Sequence, residues 1–307
     1  MGSMGSANRH QGVFVPLVTP LNADGSVALD CLEQLAVRYL DAGVAGLVVL
    51  GTTGEPATLL GEEKAKVVET VGRVCADRKA RMLVGVGTNS TAATVADAKA
   101  LSGAEGVTGI LSVVPYYTRP SDAGLVEHFS QVASVSPVPV VIYNIPYRTG
   151  TRLSCDALLR LAQVENIVGV KQSVGGLDAD TLQLMANVPD GFSVLSGEDA
   201  FIYPLMTLGG AGTIAAASHV CTEAFVDMVN SCLAGDFARG RAIHEMLLPL
   251  CEVLFAEPNP AVTKAVLHAQ GLIPSPVLRL PMTAASSAVV ARAVEVADEV
   301  AKFHAQL

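Results

Sequence analysis

The feature that most restricts how this chain can fold is an alternation of short, β-branched apolar runs with longer stretches of helical periodicity. Eight such runs follow one another, and continuous ones such as PVVIY at residues 139–143 are typical of strands that are covered on both faces. We predict strands at residues 12–19, 46–51, 82–87, 109–115, 139–146, 167–173, 192–197 and 212–217.

The segments between these runs predict crossover helices, because apolar residues recur three and four positions apart, as at residues 29–42 and 62–76. Eight βα units of roughly 25 to 35 residues favour an α/β protein with a closed (β/α)8 barrel, the TIM barrel. A doubly wound open sheet is the alternative, but no GxGxxG turn follows the first predicted strand.

We assign the catalytic barrel to residues 11–220 and a C-terminal helical extension to residues 221–307, since about 90 residues after the last strand are too many for one closing helix. Helices are expected at 223–233 and 237–254, in a stretch opened by residues 258–260, and from residue 283 onward. The extension either packs on the barrel or mediates assembly. Residues 1–10 are assigned to a tag and a disordered N-terminus, because they lack the apolar core of a secretion signal.

Charge and composition exclude several classes of protein. The net charge of −9, without any Lys/Arg cluster, excludes a nucleic-acid-binding protein. No apolar run reaches the ~18 residues of a membrane span, so we expect no membrane partner and a cytoplasmic protein. The six cysteines show no CxxC spacing and the histidines are scattered, so no metal site is expected.

Lys171 is the most suggestive single residue, because chemistry in a barrel gathers where the strands end. It follows the apolar run IVGV at residues 167–170, whereas the other six of the seven lysines lie in polar or helix-like surroundings. Desolvation should lower the pKa of Lys171 and leave a neutral amine that can attack a ketone. The alternative is a lysine at the barrel mouth that pairs with a carboxylate.

Hydroxyl groups follow the neighbouring predicted strands. Tyr143 ends the fifth strand, beside Lys171 if the strands are parallel, and its phenol can transfer the protons that imine formation requires. Thr52 and Tyr117 supply further hydroxyls. The alternative for each tyrosine is a half-buried aromatic side chain whose hydroxyl bonds to the backbone.

Two further features could bind carboxylates. The turn of Thr52, Thr53 and Gly54 offers hydroxyl and N–H donors, although a capped strand-to-helix turn would look the same. Arg148 offers a planar fork suited to bidentate carboxylate binding, or else it forms a surface salt bridge.

Together these fragments resemble the dihydrodipicolinate synthase and N-acetylneuraminate lyase family of Schiff-base aldolases, most closely its dihydrodipicolinate synthase branch. The resemblance covers nearly the whole chain, and its motifs are specific as an ordered set although each is weak alone. They are GVFVPLVTP at residues 12–20, GTTGE at 51–55, VPYYTRP at 114–120, YNIPYRTG at 143–150, VK at 170–171, LSGED at 195–199, EPNP at 257–260 and LRLPM at 278–282.

The resemblance implies that Lys171 forms an imine with pyruvate or another 2-oxo acid, which then reacts with an aldehyde. Tyr143 would transfer protons, and Thr52 and Tyr117 would complete a hydroxyl relay with it. In such enzymes the second tyrosine reaches across a dimer interface. Tyr117 is therefore expected to serve a neighbouring subunit of a homotetramer, assembled as a dimer of dimers.

The same resemblance implies binding roles for four other residues. Thr53 would bind the carboxylate of pyruvate, and Arg148 would bind the carboxylate of the second substrate. Backbone at Gly197 and Ile214 would line the imine. The resemblance implies neither a cofactor nor a metal.

The sequence departs from the family pattern at two positions. Gln172 follows the lysine where the synthase branch usually carries an acidic residue, so the pocket floor is expected to differ. Ala93 stands where the family's lysine-feedback site uses a glutamate, so feedback inhibition by lysine is not expected.

Three functions stay open at this stage. The first is a synthase that condenses pyruvate with aspartate semialdehyde in lysine biosynthesis. The second is a related aldolase, dehydratase or deaminase that acts on a sugar-acid or hydroxyproline-derived substrate. The third is a noncatalytic regulator that binds a small acid, although Lys171, Tyr143 and Thr52 are all present and argue against it.

Overall fold

The computed structural model describes residues 10–307, and in this part of the chain eight parallel strands form one closed barrel in sequence order. The strands are β1 (Gly12–Pro16), β2 (Gly46–Val49), β3 (Arg81–Val86), β4 (Gly109–Val113), β5 (Val140–Asn144), β6 (Ile167–Gln172), β7 (Ser193–Ser196) and β8 (Gly212–Ile214). The predicted (β/α)8 barrel is confirmed. Each strand ends one to three residues before its predicted end, because the chain there leaves the ladder to form the turns at the barrel mouth.

Helices follow the strands and cover the outside of the barrel, and the predicted helices at 29–42 and 62–76 are confirmed as α1 and α2. At the start of α3, α4, α6, α7 and α10, a Ser or Asp side chain accepts a hydrogen bond from the backbone N–H three residues on. The helices of the described residues are α1 (Leu29–Asp41), α2 (Gly61–Arg78), α3 (Thr91–Ala100), α4 (Asp122–Val135), α5 (Pro146–Thr149), α6 (Cys155–Leu161), α7 (Ala179–Asn187), α8 (Ile202–Thr207), α9 (Thr222–Leu233), α10 (Phe237–Leu254), α11 (Ala261–Ala269) and α12 (Ser287–His304).

Successive side chains of each strand point to opposite faces, and this alternation separates the core into two layers. The larger layer packs the strands against the helices. The smaller layer fills the barrel interior with the side chains of Phe14, Val48, Leu83, Leu111, Val141, Tyr143, Ile145, Leu195, Ala211 and Ile214. The interior is therefore a packed core. Polar side chains are expected at the end of the barrel where the carboxyl ends of the strands meet.

Two features close the barrel between β8 and β1. A Cβ atom at Gly212 would lie 2.0 Å from the carbonyl oxygen of Gly12, so the strands can approach only because this residue is a glycine. Just beyond the strand ends, buried His219 accepts a hydrogen bond from the Val18 N–H through Nε2 at 3.0 Å. Burial lowers the pKa of His219 to about 4, which keeps the ring neutral and able to accept that bond.

The C-terminal extension packs onto the barrel and onto itself. Helix α9 packs against β1 and α8, where the outer helix of the eighth βα unit belongs, and α10 packs against α9 and α12. We therefore propose that the barrel includes α9 and that the extension begins after Leu233. The predicted helices of the extension are observed as α9 to α12.

Residues 1–9 of the predicted N-terminal tag lie outside the described part of the chain. His10, which the sequence analysis grouped with that tag, is buried, and its ring lies 5.8 Å from that of Phe14. Among residues 10–307, no helix is both long and apolar enough to cross a bilayer.

A buried ion pair ties the extension to the barrel mouth. The ammonium group of Lys264, on α11, lies 2.8 Å from the Glu55 carboxylate, and the Lys264 side chain has no exposed surface. The same ammonium donates to the carbonyl of Thr19 at 3.2 Å, and the backbone N–H of Arg279 contacts the other carboxylate oxygen of Glu55 at 3.4 Å. The pair is stabilising only while both partners are present, because either charge alone would be buried without compensation.

We expect Lys264→Met to lower the free energy of unfolding by about 3–5 kcal/mol, since it leaves the Glu55 carboxylate buried without its cation. Urea unfolding at neutral pH measures the change. Arg241→Met is the matched control, because Arg241 pairs with Glu245 on the exposed surface of α10 and its loss should cost less than about 1 kcal/mol. Equal effects of the two substitutions would show that the Lys264 pair does not anchor the extension.

Candidate active site

Lys171 and Tyr143 stand side by side at the mouth of the barrel. They are directly paired in the register of β5 and β6, so both side chains point into the barrel. The Lys171 Nζ lies 4.2 Å from the centre of the Tyr143 ring. The expected proximity of the amine and the phenol is thus present in the structure.

The Lys171 amine is held in a desolvated position. The residue is only 7% exposed, and burial lowers its pKa, while the nearby carboxyl groups of Asp199 and Glu198 oppose this effect. Among residues 10–307, no carboxylate lies within ion-pair distance of the ammonium. The geometry favours a reactive amine over the alternative of a paired structural lysine.

The Tyr143 phenol is buried, with the hydroxyl of Thr52 close to it. Burial raises the pKa of Tyr143 to about 12, and the Thr52 hydroxyl, the positive charge of Arg148 and the Ser173 hydroxyl partly oppose the rise. The phenol is therefore protonated at neutral pH and can accept one proton while it donates another. Thr52 lies in the turn after β2, which forms a short 3-10 helix, Thr52–Gly54.

Thr53 is the next residue of this turn and is buried. Its Oγ1 accepts a hydrogen bond of 3.0 Å from the side-chain amide of Asn259, which precedes α11 in the extension. The carbonyl of Gly54 accepts a bond of 2.7 Å from the Thr19 hydroxyl. Contacts from the extension and from the end of β1 therefore hold this turn.

Gly197, the residue after β7, lies directly against Lys171. A Cβ atom at this position would approach the Ser173 Oγ to 2.3 Å and the Lys171 Cε to 2.8 Å. Only a glycine leaves room for the lysine side chain. Ile214 lies fully buried in the inner layer of the barrel together with Tyr143, and its part in lining an imine stays a prediction.

A cleft of about 1090 Å³ opens at this end of the barrel. Its wall includes three predicted site residues, Thr52, Tyr143 and Arg148, and Asn259 from the extension. Arg148, on α5, is exposed, and its guanidinium lies 6.0 Å from the centre of the Tyr147 ring. Among the described residues it forms no surface salt bridge, so its charge is available at the cleft.

Tyr117 does not join Tyr143 and Thr52 within this chain. Its side chain is 86% exposed, and its backbone N–H donates to the Thr149 carbonyl at 3.1 Å. Its backbone has a positive φ of 73°, and Tyr116, not Tyr117, lines the cleft. A relay that includes Tyr117 is therefore not present in the single chain.

Gln172 does not form the pocket floor, contrary to the expectation from the sequence. It follows Lys171 on β6 and points to the opposite face, where its amide donates to the Thr181 hydroxyl at 3.0 Å. Its carbonyl oxygen accepts from the Asn144 amide at 3.0 Å, and Asn144 in turn accepts from the Leu153 N–H at 3.2 Å. This network lies behind the two reactive strands and fixes their relative position.

Three further residues at the candidate site were not predicted from the sequence. Ser173 ends the sixth predicted strand and Asp199 lies in the LSGED motif, which was a usable signal, and both are buried beside Lys171 or Tyr143. Asn259 lay in the EPNP motif, but nothing in that motif indicated a contact with Thr53. No group of three His, Cys, Asp or Glu side chains within residues 10–307 is arranged to hold a metal ion.

Comparison with known proteins shows extensive similarity. A model of the Dihydrodipicolinate synthetase family matches residues 9–298. The chain is 42% identical over 277 residues to the 4-hydroxy-tetrahydrodipicolinate synthase of Moorella thermoacetica, which covers 89% of this chain and 92% of that protein.

Solved structures give the same result. The 4-hydroxy-tetrahydrodipicolinate synthase of Methylacidiphilum fumariolicum SolV superimposes with a TM-score of 0.91 at 32% identity, covering 96% of this chain and 97% of that chain. The dihydrodipicolinate synthase of Aquifex aeolicus superimposes with a TM-score of 0.88 at 36% identity, covering 96% and 98%.

Gly197→Ala is expected to slow the reaction of the Lys171 amine with pyruvate by on the order of 10- to 100-fold, because a displacement of about 1 Å can cost that much in rate. Borohydride trapping at several time points measures the rate. Gly124→Ala on α4 is the control, since a Cβ atom there meets nothing closer than 3.7 Å. A wild-type trapping rate in the Gly197 variant would contradict the proposed steric requirement.

Proposed function

The chain belongs to the Dihydrodipicolinate synthetase family, and from that premise we propose that it is a 4-hydroxy-tetrahydrodipicolinate synthase, which condenses pyruvate with aspartate semialdehyde in lysine biosynthesis. Family membership makes it a lyase or synthase enzyme. The observation that carries the proposal is the buried Lys171 amine, which lies 4.2 Å from the centre of the Tyr143 ring and has no ion-pair partner in the described structure.

The first step forms a covalent bond between the enzyme and pyruvate. The Lys171 nitrogen attacks the C2 carbonyl, and one amine proton moves to the carbonyl oxygen to give a carbinolamine. That hydroxyl takes a second proton and leaves as water, which gives the protonated imine. We assign these proton transfers to the Tyr143 phenol, because the centre of its ring lies 4.2 Å from the Lys171 amine.

The second step forms the carbon–carbon bond. Loss of a proton from the pyruvate methyl group converts the imine into an enamine, whose terminal carbon attacks the aldehyde carbon of the semialdehyde. The aldehyde oxygen takes up a proton and becomes the 4-hydroxyl group. The amine of the bound semialdehyde then attacks the imine carbon, closes the ring and releases Lys171.

Binding roles follow from charge and position. The Thr53 hydroxyl and the N–H groups of its turn suit the carboxylate of pyruvate, while the Arg148 guanidinium suits that of the second substrate. The absence of a side chain at Gly197 leaves space for the imine beside Lys171. Backbone at Gly197 and Ile214 would complete the lining of the imine.

We extend the proposal to the assembly. The exposed side chain of Tyr117 is available to complete the hydroxyl relay of a neighbouring subunit, in a homotetramer built as a dimer of dimers. The six cysteines are unpaired in the structure, which supports a reducing, cytoplasmic setting.

Incubation with pyruvate, reduction with borohydride and peptide mass spectrometry should locate the adduct on Lys171. The Lys171→Ala variant should give no adduct and no turnover while it stays folded by circular dichroism, because only the amine can form the imine. Aspartate semialdehyde should then be a far better partner than sugar-derived aldehydes.

An adduct on another lysine, or turnover by the Lys171→Ala variant, would overturn the imine mechanism. An adduct on Lys171 without turnover of aspartate semialdehyde would instead favour a related aldolase, dehydratase or deaminase. Folded protein that gives neither adduct nor turnover would point to a noncatalytic role.

Tyr143→Phe is expected to slow imine formation by about 100-fold or more, since general acid–base catalysis typically contributes that much. Stopped-flow mixing with pyruvate, followed by acid quench and mass measurement, gives the rate. Tyr39→Phe is the matched control, because Tyr39 is equally buried but its hydroxyl donates to the His219 carbonyl at 3.3 Å, away from the cleft. If both variants form the imine at the wild-type rate, Tyr143 does not carry the protons.

A further inference from the structure

One residue of the extension reaches into the wall of the cleft. Asn259 lies between α10 and α11, is only 9% exposed, and forms part of the cleft wall together with Thr52. Its side-chain amide donates to the Thr53 Oγ1 at 3.0 Å, across 206 positions of sequence. The residue that is proposed to bind the pyruvate carboxylate is thus in direct contact with the extension.

The direction of this hydrogen bond determines what Thr53 can do. A hydroxyl group has one proton to donate and can accept through its oxygen. Because the Thr53 oxygen accepts from Asn259, its own proton is not used in that contact, and no acceptor for it is found among residues 10–307. The proton is therefore free for another acceptor, and hydrogen bonds to charged acceptors are the stronger kind.

The amide is itself held in place from the extension. Pro260 follows Asn259 and opens α11, whose Lys264 is fixed by the buried pair with Glu55. Glu55 is two residues beyond Thr53, so α11 holds the turn at one point while Asn259 contacts it at another. The contact has little freedom to rearrange.

We propose that Asn259 is a positioning residue, which orients the Thr53 hydroxyl so that its proton faces the carboxylate of the 2-oxo acid substrate. The inference rests on the proposed function, since it assumes that Thr53 binds that carboxylate. Through Asn259, the C-terminal extension would contribute directly to the selectivity for an anionic substrate. The Asn259 Oδ1, which is buried and has no hydrogen-bond partner in the described structure, leaves this amide with a single protein contact, the one to Thr53.

Asn259→Asp tests the direction of the bond with almost no change in shape. A carboxylate at 259 can only accept, so it takes the Thr53 proton and turns the hydroxyl away from the substrate. If the amide oxygen of Asn259 faced Thr53 instead, the acidic variant would keep the same hydrogen bond. The two orientations thus give opposite outcomes.

The readout is the preference for pyruvate over pyruvamide, a neutral analogue of similar size, in borohydride trapping on Lys171. We expect Asn259→Asp to weaken apparent pyruvate binding by about 10- to 100-fold, as expected for the loss of a hydrogen bond to a charged group, and pyruvamide binding by less than about 3-fold. A merely structural role would lower both equally, together with the thermal midpoint.

Asn259→Ala separates the loss of hydroxyl orientation from repulsion between a new carboxylate and the substrate. It also tests the role of Asn259 if the acidic variant fails to fold. It removes the donor without adding a negative charge, so the preference for pyruvate should still fall, by about 3- to 10-fold, because the hydroxyl then rotates freely. Asn187→Asp, the same change on the exposed surface of α7, controls for net charge and should match the wild type.

An unchanged preference in the folded Asn259→Asp and Asn259→Ala variants would overturn the inference, while wild-type trapping on Lys171 would leave the proposed function intact. If the wild type itself gives no adduct with pyruvate, the proposed function fails and the inference fails with it. The two failures are therefore distinguishable.

Discussion

The site depends on keeping the Lys171 amine out of water without giving it a carboxylate partner. A buried ammonium is costly, and a protein usually compensates for it with an ion pair, as this chain does for Lys264 and Glu55. At Lys171 the compensation is incomplete: Asp199 and Glu198 act only at a distance, so burial lowers the pKa of the amine. The two buried lysines meet the same cost in two ways: Lys264 has an ion pair, and Lys171 has a lowered pKa.

The two faces of β5 and β6 carry different kinds of polar group within a few residues. Tyr143 and Lys171 face the barrel mouth, and the residues that follow them, Asn144 and Gln172, face outward and bond to each other. Polar contacts on the outer face of the strands help to fix the register that aligns Tyr143 with Lys171. Gly197 completes the arrangement by leaving space on the third side of the amine.

Much of this was predictable from sequence because it depends on local patterns. The apolar runs located all eight strands, and Lys171 stood out since a lysine rarely ends such a run. The outward direction of Gln172 also followed from strand alternation, once Lys171 was taken to face inward, and was overlooked. The contact between Asn259 and Thr53 was not predictable, because it joins residues 206 positions apart and depends on how the extension packs. The positive φ of Tyr117 was not predictable either, because a tyrosine rarely adopts it.

The position of Asn259 and Lys264 late in the chain has a consequence for the order in which the enzyme matures. On the ribosome, the barrel strands emerge well before α11, so a barrel that closed early would hold Glu55 without its cation and Thr53 without its amide contact. Such a nascent chain would have Lys171 in place before the turn that is proposed to bind the carboxylate was set. The chain would then become catalytically active only in the last stage of synthesis. A truncated chain would be a poor catalyst even where its barrel has formed.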